Sequence, residues 1–180
     1  MIIILSGPHD STADRVEAEL GRRSARYTRV DLSDFPQRIT ASAYLDNSGY
    51  WTGHMRHADG WSVAWEDITA VYYRRPNNFD PAPGLTTAER RFAVAEARGG
   101  FGGVLASLDA RWVNHPFRVA DAEFKPAQLT AARDDFSVDR NGDWWFLECN
   151  PNGQWGFITE ATDLPIASAI ADLLIGDTTL

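Results

Sequence analysis

Apolar and polar positions along the chain follow several different rhythms, and each rhythm predicts a different element. Ile2 to Leu5 is an unbroken run of large aliphatic residues, as expected of a strand buried on both faces in a parallel sheet. Ser6-Gly7-Pro8 turns the chain, and Asp10 or Ser11 can cap a helix over residues 13–20, with Val16 and Leu20 at i, i+4 and Gly21 at its end. Tyr27 to Leu32 reads as a second strand, so the opening is β-α-β with a right-handed crossover. Ser6-Gly7 lacks the glycine spacing of a phosphate-cradling loop and reads as a turn.

Between residues 39 and 66 the runs shorten. Candidate strands around 42–45, 50–55 and 61–65 are separated by Asp46-Asn47-Ser48-Gly49 and Ala58-Asp59-Gly60, which predicts an antiparallel meander. His54 and His57 have no cysteine beside them and only Asp59 close by, so they read as surface histidines. Ile68 to Tyr73 is the next buried strand, with Arg74-Arg75-Pro76 at its carboxyl end, where open α/β sheets bind ligands. Two arginines there suit a carboxylate or phosphate held by forked hydrogen bonds, or a solvated pair at a loop entrance.

Thr86-Thr87-Ala88-Glu89 is a capping box that starts a helix, on which Ala88, Phe92 and Ala95 form the expected apolar stripe. Gly99, Gly100, Gly102 and Gly103 weaken or bend it before Val104 to Leu108 resumes the pattern, and Arg111-Trp112-Val113 reads as a short strand. After a short helix over residues 119–123, Pro126 suits the first position of another helix through Ala132. That leaves Lys125 beside a helix N-terminus, a placement that suits phosphate, although an exposed lysine looks the same in sequence. Asp163-Leu164-Pro165 opens the final helix, whose stripe is Ile166, Ile170, Leu173 and Leu174 and whose end is Gly176.

The most informative stretch is residues 134–155, where two apolar-rich runs flank Asn141-Gly142, a strong hairpin signal. With a two-residue loop, Val138 faces Trp145, Ser137 faces Phe146, Phe136 faces Leu147 and Asp135 faces Glu148. Phe136, Val138, Trp145 and Leu147 then form an apolar face, which the final helix is expected to cover. Asp135, Glu148 and Asn150 project from the other face. Opposed like charges repel unless a cation lies between them, and two carboxylates with an amide oxygen suit Mg²⁺ or Mn²⁺. The bland alternative is a pair of solvated acids on a wet face.

Composition narrows the choice. The chain's 180 residues are 44% hydrophobic and 23% charged, enough for a sizeable core in one domain or two small ones. A net charge of −8 argues against a nucleic-acid or anionic-membrane binder and favours a cationic ligand. Cys149 is the single cysteine and reads as a small buried hydrophobe. With no long apolar segment, a cytoplasmic protein that neither enters a membrane nor binds nucleic acid is expected.

Y-Y-R-R-P (72–76), E-A-R-G-G-F-G-G-V-L-A-S-L (96–108), W-V-N-H-P (112–116), K-P-A-Q-L (125–129), W-F-L-E-C-N-P-N-G-Q-W-G-F-I (145–158) and L-P-I-A-S-A-I-A-D-L-L (164–174) occur in this order along nearly the whole chain. Together they resemble the ATP-grasp ribosomal-peptide maturases, the microviridin-type graspetide ligases. The resemblance implies a pre-ATP-grasp, Rossmann-like α/β domain with a β-meander insertion over residues 1–116. A truncated ATP-grasp α+β portion would follow over residues 117–180, comprising a helix, the metal-site hairpin and the C-terminal helix. It further implies ATP and Mg²⁺, a ribosomal precursor peptide as partner, and ligation of a peptide carboxylate to an amine or hydroxyl through an acyl phosphate. Asp135, Glu148 and Asn150 fall on the family's magnesium ligands, and Lys125 on a lysine that contacts ATP phosphates. No residue is assigned to the bond-making step itself, and a homo-oligomer is left open.

One departure stands out. The family carries a long segment between the K-P-A-Q-L helix and the D-F strand, including a lysine of the adenine pocket and the loop over the phosphates. Here Ala132 is followed at once by Arg133-Asp134-Asp135. The expected product is an ATP-grasp ligase impaired by an internal deletion, or a non-catalytic remnant that binds a peptide or partner.

Overall fold

The computed structural model of the chain describes residues 1–124, 135–148 and 153–176, with the backbone alone at 135–137 and 146–148. In chain order, strand β1 (Ile2–Ser6) is followed by helix α1 (Ser11–Arg22) and strand β2 (Tyr27–Val30). Strands β3 (Ile39–Leu45), β4 (Trp51–His57) and β5 (Ser62–Ala64) form the meander, and β6 (Ala70–Arg75) returns to the first sheet. Helices α2 (Thr87–Gly99) and α3 (Phe101–Ala106) precede β7 (Arg111–Val113) and α4 (Pro116–Ala122). A hairpin of β8 (Asp135–Val138) and β9 (Trp144–Glu148) leads to α5 (Gly156–Thr162) and α6 (Ile166–Ile175).

The larger sheet has the order β2-β1-β6-β7 with every pairing parallel, and the meander is a separate antiparallel sheet, as its sequence predicts. β1 lies inside the parallel sheet and is buried along its whole length, so its alternate residues must enter two different cores. Ile3 and Leu5 join Val71, Met55, Trp65 and Phe101 on one side. Ile2 and Ile4 join Val16, Leu20, Tyr72, Ala171 and Leu174 on the other. Each buried Val, Leu, Ile, Met or Phe side chain stabilises the fold by roughly 1.5–3 kcal/mol relative to exposure.

Asp10 caps α1 by accepting from the backbone N–H groups of Thr12 (3.0 Å) and Ala13 (3.2 Å). The helix passes through Gly21, which the sequence reading placed at its end, and the left-handed residue that follows is Ser24 at φ +53°. The capping box of Thr86 and Glu89 is present. The buried face of α2 differs from the expected stripe, because Phe92 is 68% exposed while Ala97 and, across the Gly100 break, Phe101 enter the core. His57 also departs from expectation, since its side chain is buried, stacked on Trp61 at 5.0 Å and 3.4 Å from both Asp34 and Asp59.

The last helix does not cover the hairpin. Helix α6 packs beside α1 and over β6 and β7, with Ala171 and Leu174 buried against the sheet. Leu173, counted in the expected stripe, is exposed. Polar contacts lock the two helices together: Arg23 pairs with Asp172 and donates to Ser168 Oγ at 2.7 Å, while Glu19 accepts from Arg23 at 2.8 Å and pairs with Arg22. Among the described residues no helix is long and apolar enough to cross a membrane.

The hydrogen bond from Arg22, then that from Arg23, holds the Glu19 carboxyl below its ordinary value of 4.5. A carboxyl lowered on folding contributes stability above its unfolded value and loses it as pH falls through the folded one. Glu19→Gln is therefore expected to flatten the acid limb of the stability curve below about pH 4.5, while at neutral pH it lowers stability. Urea midpoints of wild type and variant between pH 3 and 7 measure both effects.

Candidate functional site

Two places hold the residues singled out by sequence: the β8–β9 hairpin and the carboxyl edge of the parallel sheet. The hairpin turn is longer than Asn141-Gly142 suggests. The N–H of Asp139 donates to the carbonyl of Asp143 (3.0 Å) and that of Gly142 to the carbonyl of Asp139 (3.1 Å), closing a three-residue loop with Gly142 at φ +88°. The Asp139 carboxylate organises it, accepting from the N–H groups of Asn141 (2.8 Å) and Asp143 (3.1 Å) and from the Trp145 indole (3.1 Å). Those donors, the Asp143 N–H first, hold its carboxyl below the usual range.

The extra loop residue shifts the ladder by one. Val138 pairs with Trp144, Ser137 with Trp145 and Phe136 with Phe146, not with the partners counted from a two-residue loop. An irregularity between Asp135 and Phe136 leaves Leu147 as an additional residue on β9 and brings Asp135 opposite Glu148 after all. The expected grouping of Val138 with Trp145 on one covered face fails, because Val138 now pairs with Trp144, and Trp144 and Trp145 are 72% and 60% exposed.

Of the four residues expected to bind metal or phosphate, Asp135 and Glu148 are thus Cα partners on adjacent strands, and the placement of their carboxylates lies outside the described part. Lys125 and Asn150 lie outside the described residues, as does Cys149. Among the described residues no cluster of three or more His, Cys, Asp or Glu could hold a metal ion.

The second place is a cleft of about 690 Å³ over the carboxyl ends of β6 and β7, lined by Tyr72, Arg74, Arg75, Asn114, Trp155 and Ile170 among others. Leu5 pairs with Tyr73 but Ser6 with Arg75, so Arg74 is an additional residue in β6. Regular alternation would send neighbouring side chains to opposite faces; the irregularity lets Arg74 and Arg75 line one cleft. Arg74 is only 2% exposed, so the solvated-pair expectation fails for it; its Nε lies 3.4 Å from Oδ2 of Asp10. Oδ2 also accepts from Ser6 Oγ (3.2 Å), and Oδ1 caps α1.

Sequence reasoning identified Asp10 only as a cap and missed its second duty as the counter-ion of Arg74. The signal was available in the i, i+2 relation of Tyr72 to Arg74 on a buried strand. The cleft's other wall comes from Gly153, Gln154 and the start of α5, which a pair between Arg15 of α1 and Glu160 holds in place. The Trp155 indole donates to the hydroxyl of Tyr72, and burial above all pushes that hydroxyl's pKa upward, keeping it neutral.

A parallel sheet of this order, with a meander beside it and an acid-bearing hairpin beyond it, defines a pre-ATP-grasp type of α/β protein. Residues 1–120 match the family described as the MvdD pre-ATP grasp domain, and the chain belongs to that family, among the ATP-grasp maturases of ribosomal peptides. No curated protein matches the chain. Among solved structures it is similar to the macrocyclase MdnB from Microcystis aeruginosa MRC, at 17% identity and a TM-score of 0.83 over 97% of this chain and 98% of that one. A RiPP-associated ATP-grasp ligase from Chryseobacterium gregarium, solved with ADP and a leader and core peptide, is 25% identical with a TM-score of 0.64, over 73% of this chain and 40% of that one. The ATP-grasp ligase PsnB, solved with a phosphomimetic variant of its minimal precursor, Mg and ADP, is 21% identical with a TM-score of 0.53, over 77% and 48%. The chain therefore spans nearly all of the MdnB chain but under half of the other two.

Substitutions at two positions test this geometry. Gly142→Ala forces a β-carbon into the left-handed region and is expected to cost the hairpin about 1–2 kcal/mol. Faster amide exchange within residues 136–146, with unchanged protection of β1 and β6, is the expected readout. Asp10→Ala removes both a helix cap and the carboxylate facing a buried guanidinium, an expected loss of about 3–5 kcal/mol. Asp10→Asn, which retains the capping oxygen, should recover about 1 kcal/mol of that in urea unfolding.

Proposed function

We propose that this chain derives from an ATP- and Mg²⁺-dependent ligase of the ATP-grasp type that acts on a ribosomal precursor peptide, with ligation impaired by an internal deletion. The observation that carries the reading is the pairing of Asp135 with Glu148 on adjacent strands, maintained by a bulge despite the shifted ladder. Two acidic residues at paired backbone positions, with Asn150 two residues beyond Glu148 in sequence, supply hard oxygen donors of the kind that fits Mg²⁺ or Mn²⁺. Bound there, the ion would offset phosphate charge. Lys125 would add a point charge on the phosphates. In the reaction a peptide carboxylate attacks the γ-phosphorus of ATP, giving an acyl phosphate and ADP. A hydroxyl or amine of the same peptide then attacks the acyl carbon and expels phosphate. The division into a pre-ATP-grasp part over residues 1–116 and an ATP-grasp remnant over 117–180 belongs to this reading.

A second reading, a non-catalytic module that binds a peptide or a partner, is favoured by the hairpin itself. It forms a two-stranded sheet with Trp144 and Trp145 exposed, and isolated two-stranded hairpins are marginal in water. Calorimetric titration with Mg²⁺ and with ATP separates the two. Under the ligase reading, Mg²⁺ binds with an affinity that falls at least about tenfold, or 1.4 kcal/mol, in Glu148→Ala and in Asp135→Ala. Turnover of ATP with a candidate precursor should be slow and vanish in the same variants. Absence of ATP binding at millimolar concentration would leave only the non-catalytic reading.

A further inference from the structure

We infer that a cavity of about 320 Å³ on the other face of the parallel sheet binds a small aromatic carboxylate, its ring among Phe79, Trp112 and Phe117 and its carboxylate at Tyr73 and Arg98. The cavity shares no lining residue with the arginine cleft, and its chemistry is independent of the ligase reading.

The order of the strands points to the place. In β2-β1-β6-β7 the chain leaves β1 for β2 on one side by way of α1, and leaves β6 for β7 on the other side by way of α2 and α3. The direction of winding therefore reverses between β1 and β6. In open α/β sheets, ligands bind outside the carboxyl ends of the strands at such a reversal. Leu5 and Tyr73 are partners across the seam of β1 and β6, and both line the cavity, as do Asn77 and Asn78 just after β6.

Two glycines keep the space open. Gly102 and Gly103 line the cavity from α3. Glycine is a poor helix former, by about 1 kcal/mol against alanine in a helix interior, and it commonly serves the close approach of another group. Among the described residues nothing approaches Gly103, since a β-carbon built there meets no atom within 4 Å. One built on Gly102 meets the Phe79 ring first, at 3.6 Å, and that ring is itself part of the lining. What this pair leaves in the wall is room.

The polar groups are few, and they select the ligand. Tyr73 is half-buried, and its hydroxyl has no hydrogen-bond partner among the described residues. Burial above all pushes the pKa of that hydroxyl upward; Arg98 opposes the rise and Glu123, outside the lining, adds to it, so the group stays a neutral donor. Arg98 is exposed in the last turn of α2, and among the described residues no carboxylate pairs with it. Asn77 is already engaged, donating to Asp31 at 2.7 Å. No aspartate or glutamate lines the cavity. A free donor beside a free guanidinium suits one carboxylate, whereas a polyphosphate brings more charge than a single cation offsets. The aromatic walls and the volume suit a body of one or two rings. Phe117 lines the cavity while 66% exposed, so a bound ring would cover it.

The test uses the full chain without Mg²⁺ or ATP and follows the indole N–H signals of the ¹⁵N-labelled protein, with Trp112→Phe made only to assign Trp112. 2-Naphthylacetate is expected to shift the Trp112 signal in a saturable way. 2-Naphthylacetamide should bind at least about tenfold more weakly, as the loss of a charged hydrogen bond requires. Arg98→Gln should bring the acid down to the affinity of the amide, and Tyr73→Phe should weaken the acid at least about threefold. Gly103→Leu should block both probes while the thermal midpoint stays at or above that of wild type, because leucine is the better helix former. Arg75→Ala, in the arginine cleft, should change neither affinity. A Trp112 signal silent to both probes, equal binding of acid and amide, or a preference that survives Arg98→Gln overturns the inference. Undiminished binding in a folded Gly103→Leu variant does so too, as does a preference lost in Arg75→Ala, which would move the seat to the other cleft. Inorganic phosphate that displaces the acid at equal concentration also overturns it, by making the seat one for any small anion. Each of these results leaves the ligase reading where it stands, since neither Mg²⁺ nor ATP takes part.

Discussion

The constraint on which this structure depends is the burial of one strand on both faces. β1 contributes Ile3 and Leu5 to one core and Ile2 and Ile4 to the other, so the parallel sheet must be covered twice. The meander with α2 and α3 covers one side. On the other side α1 alone is too narrow for β6 and β7, and the gap is filled by α6, from the far end of the described chain. Covering the first strand thus fixes the end of the chain, and the segment leading into α6 becomes the wall of the arginine cleft. The long-range pair of Arg23 with Asp172 follows from the same demand and secures it.

Both candidate sites rely on an interruption of regular pairing. In β6 one additional residue, Arg74, lets two neighbouring arginines share a cleft; in β9 one additional residue, Leu147, sets Asp135 opposite Glu148. Period-two alternation sorts a strand into two faces without regard to chemistry, so a strand that must present particular residues together has to break the period locally. The cost is a few ladder hydrogen bonds at strand ends, where regular pairing is weakest in any case.

What was legible in the sequence follows the strength of the physical signal. The parallel strands were legible because an unbroken aliphatic run such as Ile2 to Leu5 has no other stable placement in water. The capping box at Thr86 and Glu89 was legible because its chemistry is local. The loop length of the hairpin was not, because Asn141-Gly142 is compatible with two or three loop residues. What decides between them is the Asp139 carboxylate, which gathers three donors only once the longer loop forms. The face of α2 was misjudged because Phe92 is the largest apolar residue at the right spacing, whereas the residue of this helix that joins the core is the small Ala97. The placement of Arg74 and Arg75 was half legible: their position at a strand's carboxyl end and the burial of Arg74 on the side of Tyr72 were readable, but their sharing of one cleft depends on a bulge that no residue type announces.

Charge gives these placements a common direction. A strongly acidic chain has to isolate any positive cleft from its own carboxylates, and Asp10 shows how that is done. Its oxygens are committed to two backbone N–H groups, to Ser6 and to Arg74, so it neutralises a buried cation without lining the cleft. Arg29 plays the converse role behind the same strand end. Its guanidinium donates to the carbonyl of Gly7 at 2.6 Å and pairs with Asp14 and Glu17, which draws those acids away from the opening. Arg75 is left exposed on a strand end held by its pairing with Ser6 and by the hydrogen bond from Gly7 to its carbonyl. The arginine cleft and the paired positions of Asp135 and Glu148 are thus set on different elements, a few residues of chain apart.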